Sequence, residues 1–297
     1  MKGSISTKIV LKSFGAIPLK ARRNLFTWLF GLFYHLSPKQ RLIAIHNLQM
    51  AFPEKDMKEI TTITKGVYRT LGIVTADLFE IPSLTRENIG NLVEVQGIEN
   101  CWKALEKNKG LLMFGAHFGN WEIQAITVPL FLKNVAAIYR PLDNSFLDNM
   151  VALLRSSTGS TLLPKERAMR PMLRSLKKNG VVGILIDQNV AWQEGVFVNF
   201  FGRPACTTDG LALLALHTEA PVIPSYIVRL DNGKYRLTFK SEMEIIRTDN
   251  EHEDVLINTQ NFTKVIEDTI RMYPDQWLWV HQRWKTKLCQ VPEKHRL

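Results

Sequence analysis

The chain predicts an α/β fold: a mostly parallel central sheet flanked by helices, with an N-terminal helical layer that associates with a membrane. Three observations predict it. Short apolar runs of the buried-strand type recur from residue 92 onward. Stretches of helical periodicity alternate with them, the pattern of βαβ units. The first 85 residues carry helical periodicity and no strand pattern. Residues 1–85 are therefore read as a helical layer packed on a core of residues 86–297, the two forming one continuous α/β unit.

The N-terminal layer opens with a charge asymmetry. Residues 1–53 hold eight Lys and Arg and no Asp or Glu, so they carry +8 of the net +10 and leave +2 for the rest. A nearly neutral body behind a basic segment points to an anionic membrane surface and away from nucleic acid. Residues 24–38, NLFTWLFGLFYHLSP, contain no charge. Their aromatics are of the kind enriched at membrane interfaces. The run is shorter than a spanning helix requires and has Arg22-Arg23 before it and Lys39 and Arg41 after it. It reads as a helix on the membrane surface, with a short tilted span as one alternative and packing on the protein's own core as another. Ser37-Pro38 predicts a helix start. A helix then runs to Pro53, and another over residues 56–80 stops before Pro82.

The core follows in order. Strands are predicted at Leu92–Val95, Leu111–Gly115, Val135–Tyr139, Val181–Ile186, Val222–Val228 and Tyr235–Phe239. Helices are predicted at 100–107, 119–130, 144–158, 166–178, 208–218 and 254–272. Asp231-Asn232-Gly233 is a hairpin turn, which makes the last strand antiparallel to its predecessor. The hydrophobic fraction of 45% and charged fraction of 22% exclude bulk disorder. Cys101, Cys206 and Cys289 are odd in number and form no CxxC pair, which argues against a disulfide framework or zinc ribbon.

The most informative segment is GLLMFGAHFGNWEI at 110–123. A strand ends near Phe114, and His117 follows at its carboxyl end, where open α/β sheets bind ligands. Glu122 falls in the first turn of the next helix, where a carboxylate is favoured and can reach back to the imidazole. A His held by a carboxylate is a tuned general base. The alternative is a buried histidine hydrogen-bonded for structure. Arg140 ends the strand Val135–Tyr139 and suits phosphate, or a surface ion pair. Asp187, Gln188 and Asn189 end the strand Val181–Ile186 and either line a cleft or cap a turn. Lys165 and Arg167 either meet an anion or are solvated. Thr207 is read as a helix cap. Trp277, Trp279 and Trp284, near His281 and Arg283, read as a packed C-terminal cap. Cys206 is a nucleophile only formally, and no GxSxG elbow supplies a serine hydrolase.

These residues sit within an ordered set. It comprises LQMAFP at 48–53, HFGNWE at 117–122, Tyr139-Arg140-Pro141, Asp187-Gln188-Asn189, Phe200-Phe201-Gly202, Pro221–Pro224 and WLWVH at 277–281. The set resembles the bacterial lipid A biosynthesis (lauroyl/myristoyl) acyltransferases, within the glycerolipid acyltransferase superfamily, over nearly the whole chain. The resemblance implies that His117 and Glu122 form a catalytic dyad. It implies transfer of an acyl chain from acyl carrier protein to a hydroxyl of a lipid A precursor, at the cytoplasmic face of a bacterial inner membrane. The protein would be peripheral there or held by one N-terminal anchor. Gly119, Asn120, Arg140, Asp187, Gln188 and Asn189 are the expected substrate-binding residues. No metal or organic cofactor is expected, because a thioester donor is already activated. The chain lacks the Pro-Glu-Gly block of glycerol-phosphate enzymes, which disfavours that acceptor. A lysophospholipid or another glycolipid is the alternative acceptor. A non-enzymatic membrane scaffold is the competing class, and it requires that His117→Ala leave every activity intact.

Overall fold

The structure is a computed structural model that describes residues 5–291. Four helices form the N-terminal layer: α1 (Ile5–Gly15), α2 (Leu19–Leu36), α3 (Pro38–Ala51) and α4 (Met57–Asp77). Helix α3 starts at Pro38 as predicted. Helix α4 is opened by a reciprocal capping box, in which Asp56 accepts from the Glu59 amide at 2.8 Å and Glu59 accepts from the Asp56 amide at 3.1 Å. Such a cap stabilises a helix by about 1 kcal/mol. Helix α1 was not predicted. It packs on residues distant in sequence: Phe14 meets Phe26 and Phe79, with ring centroids 5.8 and 4.9 Å away. No described helix is long and apolar enough to cross a membrane.

The remaining elements are β1 (Val93–Gln96), α5 (Ile98–Leu105), β2 (Leu111–Gly115), α6 (Trp121–Phe131), β3 (Val135–Tyr139), α7 (Ser145–Ser156), β4 (Thr161–Pro164), α8 (Met169–Lys177), β5 (Val181–Leu185), β6 (Gly195–Phe200), β7 (Arg203–Thr208), α9 (Gly210–Thr218), β8 (Val222–Arg229), β9 (Tyr235–Phe239) and α10 (Glu251–Met272). Seven strands form one sheet in the order β1-β9-β8-β2-β5-β3-β4. Strands β8, β2, β5, β3 and β4 are mutually parallel. The β8–β9 hairpin reverses direction, and β1 joins β9 in parallel. The mostly parallel α/β architecture is thus as the sequence predicts.

Three strands were not predicted. The four residues of β4 lie at a sheet edge, where little hydrophobic pattern is needed. Strands β6 and β7 form a separate two-stranded hairpin. Its turn is Phe201-Gly202, with φ of 54° and 74°, and positive φ at both central residues is the twist that two-residue hairpins require. A phenylalanine at positive φ is unusual. Its ring is clamped against Phe52, Phe200 and Trp279, and its amide donates to Glu267 at 2.7 Å.

The sheet separates two apolar clusters. Leu112, Phe114 and Val182 face α3, α4, α9 and α10. Leu111, Met113, Val135 and Val181 face the side of α1, α6 and α7. The N-terminal layer therefore contributes to both halves of the core.

A buried polar network fixes that layer to the sheet. Asp77, fully buried at the end of α4, takes two 2.7 Å bonds from Arg23 of α2. It also accepts from the Tyr235 hydroxyl at 2.5 Å and from Asn120 Nδ2 at 3.3 Å. Burial and the adjacent carboxylate push the Tyr235 phenol up, so it stays a donor. Asp77→Ala removes the buried partner charge of Arg23 and an acceptor shared by two further donors. It is expected to destabilise the fold by about 3–5 kcal/mol, the usual effect of breaking a buried pair from one side, read as a lowered denaturation midpoint at unchanged slope.

Candidate active site

Strand β2 lies between β5 and β8, and in register with β5 Gly115 is paired with Leu185. Two residues beyond each strand end, His117 and Asp187 therefore stand side by side. Asp187 Oδ1 lies 2.9 Å from His117 Nδ1. Asp187 Oδ2 accepts from the His117 amide at 2.9 Å and from Trp277 Nε1 at 2.8 Å. Burial alone would raise the Asp187 carboxyl. The imidazole beside it and these donors outweigh burial and hold it at about 2. An ionised Asp187 keeps the proton on Nδ1 and leaves Nε2 as the basic nitrogen. Nε2 lies 3.4 Å from the Gln188 side-chain nitrogen.

The turn that carries His117 is constrained on both flanks. Gly119 has φ of 57°, and a Cβ there would lie 1.8 Å from the Ile227 carbonyl oxygen, so only glycine fits. The C-terminal segment runs alongside: the Gly119 amide donates to the Gln276 carbonyl at 2.7 Å, and the Leu278 amide donates to the His117 carbonyl at 3.1 Å. Asn120 caps α6 through the Ile123 amide at 3.1 Å.

Glu122 does not form the expected hydrogen bond with His117. Its carboxylate points toward α7, where Arg155 holds it through bonds of 2.7 and 2.6 Å, and Trp121 Nε1 donates to it at 2.9 Å. Burial opposes its ionisation, but the Arg155 guanidinium outweighs burial and lowers its pKa. The histidine's hydrogen-bonded carboxylate is Asp187. The physical reason is register: neighbouring strand ends bring residues 117 and 187 together, whereas the first turn of α6 aims residue 122 at the helix beside it.

Beside His117 lies a cavity of about 480 Å³ between the sheet and α6 and α7. Across its sheet wall Met113 pairs with Gly183, Gly183 with Ala137, and Ala137 with Leu162. The two small residues in the middle of this row leave a trough. Val128, Val135 and Val181 also line it, while Gln188, Arg140, Arg155 and Lys165 bring polar and cationic groups to it. Lys165 pairs with Glu194 at 2.8 Å.

The expected site residues therefore divide. His117, Gln188 and Arg140 line the cavity. Asp187 and Glu122 are buried behind it, holding His117 and Arg155. Gly119 and Asn120 are not among its lining residues. Asn189 Nδ2 and Oδ1 are bonded to the Thr286 hydroxyl and amide, each at 3.0 Å, so its side chain ties down the C-terminal segment. Two participants had no functional reading in the sequence. Arg155 meets Glu122 across 33 positions, and nothing local marks it. Trp277 was read as part of a packed cap, yet its indole holds the histidine's partner. Cys206 is buried, and its thiol is pushed up to about 11 by burial, so it is no nucleophile.

His281 accepts from the Asn189 amide through Nε2 at 2.9 Å. Burial lowers its pKa from 6.5 to about 4. The unfolded chain therefore takes up this proton first, and the stability His281 supports is lost as pH falls from 6.5 toward 4. His281→Gln keeps an acceptor that does not titrate. It is expected to shrink the drop in melting temperature between pH 7.5 and 5.

A histidine fixed by a buried carboxylate, beside a largely apolar trough on an α/β sheet, has the geometry of an enzyme site open to an apolar group. The family model for bacterial lipid A biosynthesis acyltransferases matches residues 6–286, and the chain belongs to that family. It is an acyltransferase. It is 28% identical to the lipid A biosynthesis lauroyltransferase of Escherichia coli K12 over 86% of this chain and 83% of that one. It is 26% identical to the palmitoleoyltransferase of the same pathway and strain over 84% of this chain and 80% of that one. It is also 23% identical to the phosphatidylinositol mannoside acyltransferase of Mycolicibacterium smegmatis, over 70% of this chain and 67% of that one.

Proposed function

We propose that the protein transfers a fatty acyl chain from an acyl carrier protein thioester to a hydroxyl of a lipid A precursor, at the cytoplasmic face of the bacterial inner membrane. The observation that carries this reading is the His117–Asp187 pair beside an apolar trough. In the proposed reaction His117 Nε2 takes the proton of the acceptor hydroxyl, and the oxygen attacks the thioester carbonyl. The tetrahedral intermediate collapses, the carbon–sulfur bond breaks, and the imidazolium returns its proton to the departing thiolate. Asp187 fixes the tautomer and stabilises the imidazolium. Glu122 supports the site through Arg155, whose guanidinium borders the cavity. The acyl chain lies in the trough walled by Gly183 and Ala137. Arg140 and Lys165 suit a phosphate of the donor arm or acceptor head group.

Two variants test the division of labour between the carboxylates. Asp187→Asn removes the charge that orients His117 and is expected to lower kcat by roughly 10²–10⁴-fold. Glu122→Gln is expected to lower it less and to lower thermal stability, because Arg155 loses its buried partner. A larger kcat loss in Glu122→Gln than in Asp187→Asn would return the catalytic role to Glu122. A second acceptor class, another glycolipid, is favoured by the resemblance to the mannoside acyltransferase. Assaying both acceptors with one donor separates the two.

A further inference from the structure

Helices α2 and α4 enclose another groove, of about 600 Å³, that shares no lining residue with the cavity. Helix α2 contributes Trp28, Gly31 and His35 to it, and α4 contributes Lys65, Tyr68 and Arg69. Lys65 and Arg69 are one helical turn apart, so they share a face of α4. Both are exposed, and neither has an ion-pair partner among the described residues. No carboxylate lines the groove. Tyr68 is almost fully buried, and its hydroxyl has no hydrogen-bond partner among the described residues. Two cations without an ion-pair partner among the described residues, in one concavity with a buried phenol in its wall, are the complement of a phosphate oxyanion.

The surface around the groove identifies the source of that phosphate. Leu25, Leu29, Leu32 and Leu36 form an exposed stripe along α2, with Leu36 at 70% and the groove's own Trp28 at 65%. An amphipathic indole next to basic groups and beside an uncovered leucine stripe matches the boundary between head groups and acyl chains. An acidic protein partner would match the cations and leave the leucines in water. The geometry points to a binding site for the phosphate head group of an anionic bilayer phospholipid in the α2–α4 groove, with the leucine stripe of α2 seated in the bilayer. This rests on the membrane-surface part of the proposed function and adds to it a defined lipid site distinct from the acyl cavity.

The test uses the full chain and vesicles of phosphatidylcholine, with or without phosphatidylglycerol. Wild type is expected to float with the phosphatidylglycerol vesicles and to bind the neutral ones more weakly. Lys65→Gln with Arg69→Gln is expected to weaken the anionic binding about thirty-fold. The same charge change at exposed Lys8 and Lys12 serves as the control and is expected to weaken it less. Both pairs lie on the surface, and transfer activity in detergent is expected to be unchanged. Monomeric dihexanoyl phosphatidylglycerol should shift the fluorescence of Trp28, identified by its loss in Trp28→Phe. Dihexanoyl phosphatidylcholine should not, and Tyr68→Phe should weaken the response without lowering the melting temperature. Equal losses in the two charge pairs would reduce the effect to general attraction and overturn the site. So would equal affinity for inorganic phosphate. Anionic vesicle binding that ignores residues 65 and 69 would overturn the site and leave the membrane reading standing, and binding to neither vesicle would remove both. Loss of carrier-protein binding in place of vesicle binding would make the groove a protein site.

Discussion

His117→Ala is expected to reduce acyl transfer by at least about 10³–10⁴-fold, with a folded protein and an unchanged cavity. General-base assistance alone is worth roughly 10²–10⁴-fold, and removal of the ring also takes one of the three hydrogen bonds of Asp187. That carboxylate is fully enclosed, held at about 2, and takes two of its three hydrogen bonds from the His117 side chain and amide. The amide and the indole remain in the variant, so the carboxylate keeps partners and the fold tolerates the change. His117→Gln retains a polar group in the same place and is expected to be as inactive as the alanine variant, because an amide does not accept the proton. Single-turnover measurements with a saturating acyl donor separate the chemical step from binding. Donor affinity should be nearly unchanged in both variants, since the trough lies beside the ring.

Gly183→Leu is the second large effect, and it acts on specificity. Gly183 is at the middle of the trough wall, where an added Cβ meets nothing closer than the Ala136 carbonyl oxygen at 3.8 Å. The backbone therefore accepts a side chain, which would occupy the trough where the acyl tail is proposed to lie. One methylene in an apolar pocket changes discrimination by about 10–200-fold. Long-chain donors are expected to lose at least that much in kcat/KM, with shorter donors spared. Competition among acyl carrier proteins bearing chains of different length reads the shift directly. A uniform loss for all lengths would place the acyl chain elsewhere. Ala137→Leu, one strand over in the same row, should act in the same direction.

The sheet was legible in the sequence because its strands carry apolar runs, buried throughout in β2 and almost throughout in β8. β2, β3 and β9 start and end where the apolar runs do, and β5 and β8 differ by one residue at an end. The elements that escaped are those whose stability comes from elsewhere. Helix α1 is ordered by Phe26 and Phe79, and β6 and β7 pair only with each other apart from the main sheet. The same distinction holds at the site. His117 was visible as a histidine after a buried strand, and Asp187 as a polar residue after another. Their contact was not visible, because it depends on β2 and β5 being neighbours although α6, β3, α7, β4 and α8 lie between them in sequence. Chain proximity instead favoured Glu122, five residues away. The indole of Trp277 joined the site for a similar reason, since residues 276–278 pair with the His117 turn from the far end of the chain.

In the proposed reaction the His117–Asp187 pair activates an acceptor hydroxyl against a chain held in the trough. The most direct measurement follows product mass. Purified protein in detergent is given lauroyl or myristoyl acyl carrier protein and a tetra-acylated lipid A precursor, with wild type and His117→Ala side by side. The expected result is an acceptor heavier by one acyl group with wild type and an unmodified acceptor with the variant. An acceptor that gains the acyl mass equally in both would rule out His117 as the base.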